Sequence, residues 1–267
     1  MVVPATPQDV IEAWVAHRDR LRGWLRGLPG GAWDRPTRCS GWSVTDLVEH
    51  LISGSQFLGY TLHQSRKGEA TRLLAEFDPQ ETPRATAAMF AGLSPGDLLD
   101  ALDENDGRVT REFAAFRESD WLAPAEAPPG RVPAHVSVNH FLFDSWVHER
   151  DLLLPAGERP PTEPGEAAAV ASYVVALAGF ARMDVDDGDR PAVAFEITTT
   201  DIDLCLRAER DAERTAVTIE PAPTGGPRLV GAVGDVVDYA TGRGSGDRLE
   251  GDPEPLAFLG NLSAVMA

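Results

Sequence analysis

Four segments in the first part of the chain repeat apolar residues every three or four positions, a spacing that places those residues on one face of a helix. The predicted helices cover residues 6–28, 43–64, 84–118 and 134–154. Each apolar stripe needs a partner surface, and four long helices joined by loops provide it by packing as a four-helix bundle. We therefore expect a helical bundle domain over residues 1–155.

The helix boundaries carry signals of their own. Thr6 and Pro7 are a cap and a first-turn proline for the first helix. Ser43 followed by Asp46 forms a capping-box pair for the second helix. In the third helix, which begins again at Ser94-Pro95, Gly107 should weaken the middle by about 1 kcal/mol relative to Ala. Two polar or Pro-rich connections are predicted to be loops, the first with room for one short helical turn: residues 65–83 and 120–133.

Beyond residue 155 the pattern changes. Residues 155–164, PAGERPPTEP, are rich in proline and have no apolar period, which predicts a linker. Later segments alternate apolar and polar residues, as strands do. The predicted elements are helices at 165–183, 233–241 and 255–265, strands at 192–207, 216–220 and 228–233, and an acidic loop at 184–189. We expect an α+β domain over residues 165–267, with helices on one face of a small antiparallel sheet.

Charge narrows the range of partners. The 267 residues include 42 Asp and Glu against 24 Lys and Arg, a net charge of -18. Nucleic acids and anionic membrane surfaces attract basic proteins, so both are unfavourable partners. Two distant cysteines make no disulfide framework, and no signal peptide or membrane-spanning run is recognised. We expect a cytoplasmic protein, monomer or homodimer, that acts on small molecules.

One helical segment carries the best candidate chemistry. Asp144 and His148 are four residues apart, so both side chains lie on one helix face, one turn apart. His50 borders the apolar stripe of the second helix and could supply a third donor. Two imidazoles and a carboxylate form the three-ligand set of a catalytic zinc site and would also bind Ni²⁺, Co²⁺ or Fe²⁺. The alternative is an ordinary hydrogen-bonded Asp–His pair with an unrelated boundary histidine.

Other polar residues compete for a role. His140 lies four residues before Asp144 and could be a fourth ligand or a donor to one. Cys39, in the loop before the second helix, is either a nucleophile or a buried structural thiol. His17, His63 and His135 also compete for the ligand role, and of these His17 is expected to be exposed to solvent. Glu149 and Asp151, next to His148, are expected to be exposed as well. Asp151 could form a salt bridge with Arg150 or with a neighbouring helix.

Common nucleotide-binding and hydrolase motifs are absent from the sequence. No phosphate loop, nucleophile elbow or dinucleotide fingerprint is present. Residues 242–246, GRGSG, follow a predicted helix rather than a strand and do not qualify.

Several motifs resemble one known family. Residues 37–51, TRCSGWSVTDLVEHL, with the preceding Trp33-Asp34-Arg35-Pro36, resemble the signature of the mycothiol-dependent maleylpyruvate isomerase family. Residues 146–151, WVHERD, resemble its second metal segment. Residues 241–243, TGR, and 249–252, LEGD, resemble the end of its C-terminal domain, which is similar to sterol-carrier domains. The resemblance implies a bundle of the DinB type.

The resemblance also implies roles for particular residues. The metal, usually zinc, would be held by His50, Asp144 and His148. The family has Glu at the position of Asp144, and the shorter Asp is expected to need a helix shift or a bridging water. Mycothiol or a similar low-molecular-weight thiol would be the cofactor, and Arg243 would hold a carboxylate of substrate or cofactor.

We therefore expect a metal-dependent isomerase or transferase that uses a thiol to attack a small electrophile, with its site in the cleft between the two domains. Two alternatives stay open. One is a non-catalytic protein that binds an apolar ligand and has lost its metal; the other is a metal-dependent hydrolase.

Overall fold

The computed structural model describes residues 1–79, 81–181, 192–211 and 214–266 and divides into two compact units. One unit contains Val10–Pro160; the other contains Met1–Asp9 together with Pro161–Ala267. The predicted acidic loop at 184–189 lies outside the described residues. None of the described helices is both long and apolar enough to cross a membrane.

The Val10–Pro160 unit is the predicted four-helix bundle with one short extra helix. Its helices are α1 (Pro7–Arg26, whose first turn groups with the other unit), α2 (Val44–Arg66), α3 (Glu81–Ala87), α4 (Pro95–Ala115) and α5 (Ala134–Leu153). Helix α4 runs through Gly107 without interruption. The apolar stripes meet in a core that contains Leu21, Leu25, Trp33, Leu47, Val48, Leu51, Ile52, Leu98, Leu102 and Leu152.

The helix starts follow the predicted caps. The Ser43 hydroxyl accepts a hydrogen bond from the Asp46 amide at 3.2 Å, and the Asp46 carboxylate accepts one from the Ser43 amide at 2.7 Å. This capping box satisfies two amide groups that have no partner within the helix. Ser94 and Asp97 repeat the arrangement at the start of α4.

The Pro-rich connection is more ordered than predicted. A short 3₁₀ segment, Glu118–Leu122, leads into an antiparallel hairpin of strands β1 (Pro124–Ala127) and β2 (Gly130–Pro133). The buried Glu126 carboxylate accepts hydrogen bonds from the amides of Leu73 and Leu74, which fastens the hairpin to the loop after α2. Prolines at the ends of the strands and in the turn concealed this hairpin, because proline usually argues against a strand.

The other unit is α+β, as predicted. Its sheet has the order β5-β4-β3-β6-β7, formed by β3 (Val193–Thr199), β4 (Cys205–Arg210), β5 (Thr215–Glu220), β6 (Arg228–Gly231) and β7 (Glu250–Gly251). Every pairing is antiparallel except that of β3 with β6. Helices α6 (Pro164–Ala181), α7 (Val233–Ala240) and α8 (Pro253–Met266) pack together, and α6 and α8 pack on the sheet.

The start of the chain also belongs to this unit. Val2 forms a parallel bridge with Ala216, in which the Val2 amide donates to the Thr215 carbonyl and the Val217 amide to the Val2 carbonyl. Residues 1–9 therefore group with the sheet, although the predicted bundle domain began at residue 1.

Candidate metal centre

The loop before α2 folds back on itself. The Trp42 amide donates to the Cys39 carbonyl at 3.0 Å, and the Thr37 amide to the Trp42 carbonyl at 3.0 Å. Gly41 sits at φ +75°, which the third residue of such a turn adopts readily only when it has no side chain. The turn holds Arg38 and Cys39 against the end of α5, where the Arg38 amide donates to the Asp151 carbonyl.

The structure brings His50, Asp144 and His148 together. Their donor atoms all lie within 4.8 Å of one another. His50 Nε2 is 3.4 Å from the Asp144 carboxylate, and His148 Nε2 is 3.5 Å from it. The three side chains are between 12 and 22% exposed, so the cluster is sheltered but open to a small molecule.

These separations suit a shared cation. Two ligands bonded at about 2.1 Å to one tetrahedral zinc ion lie about 3.4 Å apart. The observed nitrogen–oxygen distances match that spacing and are long for hydrogen bonds, which are most often about 2.9 Å. Two imidazoles and one carboxylate also leave one position of a four-coordinate metal free for another ligand. The residues therefore fit a divalent metal, and their role as its ligands stays a prediction.

Asp144 reaches the two imidazoles directly. The carboxylate lies at nearly equal distances from His50 and His148, so in this structure the shorter Asp side chain needs no bridging water to join the cluster.

The charges of the cluster are strongly coupled. Burial alone would raise the pKa of Asp144, but the facing His50 and His148 hold it well below its usual value. Burial would lower the pKa of His148, but Asp144, Cys39 and a hydrogen bond to Asp151 raise it well above its usual value. Without a cation, both shifts favour an ionised Asp144 beside a protonated His148.

His148 has a second set of contacts through its other nitrogen. Nδ1 lies 3.0 Å from Asp151 Oδ2 and 3.7 Å from Cys39 Sγ, and the Cys39 thiol donates to the same Asp151 oxygen at 3.2 Å. Arg38 Nε donates to Asp151 Oδ1 at 2.9 Å. Asp151 was expected on the surface; this prediction is wrong, because Arg38 compensates a carboxylate that is fully buried.

His50 is held more loosely than His148. Its Nδ1 is buried and has no hydrogen-bond partner in the part of the chain that the structure describes. The Trp42 ring meets the His50 ring edge to face, with 5.6 Å between centroids. Arg84 of α3 lies over the Trp42 ring, with its guanidinium carbon 5.6 Å from the ring centroid, and is itself exposed.

His140 lies near the cluster without joining it. The ring is 8% exposed and packs against Phe141 and Phe143. Burial lowers the pKa of His140 to about 4, and the nearby Asp144 only partly opposes this effect. His140 is therefore neutral at pH 7 and is not one of the clustered donors found among the described residues.

Two further predictions of exposed side chains are wrong. His17 is fully buried and contacts the Ser145 hydroxyl through Nε2 at 2.9 Å. Glu149 is 1% exposed and accepts two hydrogen bonds from the guanidinium of Arg20. The Arg20 guanidinium compensates the Glu149 carboxylate and lies 2.9 Å from His17 Nδ1, so these polar groups can be buried inside the bundle.

The other candidates have contacts of their own. His63, on α2, contacts Glu112 at 3.0 Å, and His135 contacts the Trp121 carbonyl at 3.1 Å. Arg243 follows α7 in the α+β unit, where its amide donates to the Asp238 carbonyl and its guanidinium lies 3.4 Å from the Thr241 carbonyl. Its predicted role toward a carboxylate stays a prediction.

Solved structures share the overall fold. The mycothiol-dependent maleylpyruvate isomerase aligns with this chain at a TM-score of 0.63 and 17% identity, covering 94% of each chain. A variant of that protein with a histidine replaced by alanine aligns at the same TM-score and 16% identity. Both support the observed α and α+β architecture.

Sequence comparisons give relatives and a family. Two uncharacterized proteins of Mycobacterium tuberculosis, from strains CDC 1551 and H37Rv, are 25% identical to the chain over 164 residues, or 60% of its length. The chain spans 61% of the length of these curated relatives. The family model of the mycothiol maleylpyruvate isomerase N-terminal domain matches residues 14–153, more than half of the chain. The chain therefore belongs to the mycothiol maleylpyruvate isomerase N-terminal domain family.

Proposed function

We propose that this protein is a metal-dependent isomerase or S-transferase that uses mycothiol, or a similar low-molecular-weight thiol, to attack a small electrophilic substrate. The observation that carries the proposal is the spacing of His50, Asp144 and His148. The Nε2 atoms of His50 and His148 lie 3.4 and 3.5 Å from the Asp144 carboxylate. Family membership supports the thiol and the type of reaction.

The three side chains would hold the cation, with zinc preferred and nickel, cobalt or iron also compatible. When bound, a divalent cation supplies a Lewis acid beside the thiol, which lowers the thiol pKa and favours the nucleophilic thiolate at neutral pH. Asp144 is the carboxylate within the cluster, and Arg38 neutralises the charge of the neighbouring Asp151.

Other residues of the bundle would shape the site. Trp42 lies against His50 and provides an aromatic wall. Arg84 stacks on Trp42 and has no carboxylate partner among the described residues, so its guanidinium is available to an anionic group of the substrate. Arg243 is proposed for the same kind of contact, as the family resemblance implies.

A paired substitution tests the metal ligands. We expect His50→Ala to lose stoichiometric metal and at least a hundredfold in thiol-dependent turnover, because one of three ligands is removed. His63→Ala is the matched control, since His63 lies on the same helix but faces Glu112. Metal content is measured by mass spectrometry after purification without chelators and after reconstitution with zinc, and turnover is followed with mycothiol and an electrophile.

Three outcomes would contradict the proposal. Wild-type protein without stoichiometric metal after reconstitution would remove the metal-dependent function. Equal loss in His50→Ala and His63→Ala would show that the effect is structural. Turnover that continues without thiol would favour the hydrolase.

A further inference from the structure

The two nitrogens of the His148 ring face different carboxylates. Nε2 points toward Asp144 at 3.5 Å, and Nδ1 lies 3.0 Å from Asp151 Oδ2. A neutral imidazole carries one N–H, so only one of its nitrogens can offer a lone pair to a cation. Which nitrogen does so depends on the partner of the other one.

Asp151 is well suited to fix that choice. Its carboxylate is fully buried and accepts from Arg38 Nε at 2.9 Å and from the Cys39 thiol at 3.2 Å. Both donors come from the turn before α2, whose backbone also bonds to the Asp151 carbonyl. Arg38 keeps the carboxylate charged, and a carboxylate only accepts hydrogen bonds, so it favours the ring tautomer with its hydrogen on Nδ1.

We propose that Asp151 is a positioning residue, which together with Arg38 sets the tautomer and direction of the His148 ring so that Nε2 faces the metal position. The proposal rests on the proposed metal-dependent function. In this proposal, residues 37–39 (TRC) hold the Asp151 carboxylate, which in turn orients the ligand His148.

A contrast within the site supports this assignment. His50 has no partner for its Nδ1 among the described residues. The Nδ1 of His148 faces Asp151, which accepts hydrogen bonds from Arg38 and Cys39. Outer partners of metal-bound histidines are typically worth 10- to 100-fold in metal affinity. We therefore expect Asp151 to contribute within that range through His148 alone.

Asp151→Asn provides a sharp test, because Arg38 will hold the amide oxygen and leave the amide NH₂ facing His148. The NH₂ group donates, so the ring should change to the tautomer with hydrogen on Nε2. We expect zinc affinity, measured by competition with a chromophoric chelator, to fall at least 10-fold. We also expect ¹⁵N NMR of the metal-free protein at alkaline pH to show the changed tautomer.

A second variant separates positioning from stability. In Arg38→Met with Asp151→Asn, the amide is free to turn its oxygen toward Nδ1, so we expect zinc affinity to recover by several-fold despite a second buried change. A purely structural role predicts a further loss instead. Asp106→Asn is the matched control: Asp106 is 1% exposed and pairs with the buried Arg18, so this variant should lose stability but not zinc affinity.

The outcomes distinguish the two proposals. If wild-type protein binds no zinc, the proposed metal-dependent function fails. If wild type binds zinc and Asp151→Asn binds it equally, with the hydrogen still on Nδ1, the positioning role fails and the function stands. Further loss in the double variant would also overturn the positioning role.

Discussion

His140 shows how burial can outweigh a nearby carboxylate in deciding the charge of a side chain. It lies one helical turn before Asp144 and packs against the rings of Phe141 and Phe143, and its burial lowers its pKa to about 4. Placed beside a cluster that would hold a cation, a neutral imidazole adds no repulsion. This burial has a consequence for stability in acid.

We expect the metal-free protein to lose stability as the pH falls from about 6.5 to 4 because of His140. The folded-state pKa is below the unfolded value of about 6.5, so the unfolded chain binds the extra proton in this window. The full effect would be on the order of 3 kcal/mol, present above pH 6.5 and lost toward pH 4. Urea unfolding of wild type and His140→Asn at pH 7 and pH 4.5 measures the difference.

His140→Asn removes the titrating group but keeps a polar side chain, so all other acid-sensitive groups are shared by the two proteins. A pH dependence that is equal in both would show that His140 does not cause the loss.

At this scale the sequence predicts some residues better than others. The convergence of His50, Asp144 and His148 follows from the helical spacing of the last two, from the place of His50 beside an apolar stripe and from the family resemblance of residues 37–51; their role as ligands stays a prediction. Asp151 and His17 were assigned to the surface, since charged residues in a helix usually face solvent. Their partners, Arg38 and Ser145, are more than a hundred positions away in sequence. Contacts that form only on folding leave no local pattern.

At the scale of elements, the turn before α2 brings Arg38 and Cys39 to Asp151, beside the candidate metal centre. It is short, begins and ends with backbone hydrogen bonds, and contains the positive φ of Gly41. Its composition, Cys-Ser-Gly-Trp, predicted only a loop. The hairpin at 124–133 is not predicted either, because its prolines resemble those of an irregular connection.

Gly41→Ala should strain this turn without a steric clash. A Cβ at this position would meet only the Arg84 guanidinium at 3.9 Å, so the cost comes from the left-handed backbone and should be about 1–2 kcal/mol. Denaturant unfolding measures this loss. Because the turn carries Arg38 and Cys39, we also expect weaker zinc binding, measured with the same chelator.

Gly68→Ala is the comparison variant, with φ +79° and open space around the added methyl group in the loop after α2. It should lose similar stability but leave zinc affinity unchanged. Equal zinc affinity in wild type and Gly41→Ala would contradict the assigned role of the turn.

At the scale of the whole molecule, the candidate ligands join two distant helices of one unit. His50 lies on α2, and Asp144 and His148 lie on α5, so a shared cation would link elements that are separated by about 90 residues. The chain also carries a net charge of -18, which opposes compaction through self-repulsion. A bound divalent cation would hold α2 and α5 together and would reduce the net negative charge.

Zinc should therefore stabilise the bundle by mass action. At a free concentration 100 times the dissociation constant, the unfolding free energy should rise by about 2.7 kcal/mol, provided the unfolded chain does not bind. Thermal unfolding followed by helical circular dichroism, with and without zinc, measures the shift. His148→Ala should abolish it, and a shift that persists in this variant would place the zinc elsewhere.

The bridge made by Val2 bears on how the protein can be dissected. Strand β5 is the edge of its sheet, and the first residues of the chain pair with it. A fragment that starts at the linker would lack Val2 and leave the Thr215 carbonyl and the Val217 amide unpaired at the edge of the sheet, where another copy could pair with them. The α+β half is therefore best expressed with residues 1–9 grafted on, since a simple cut of the gene would leave its sheet prone to aggregation.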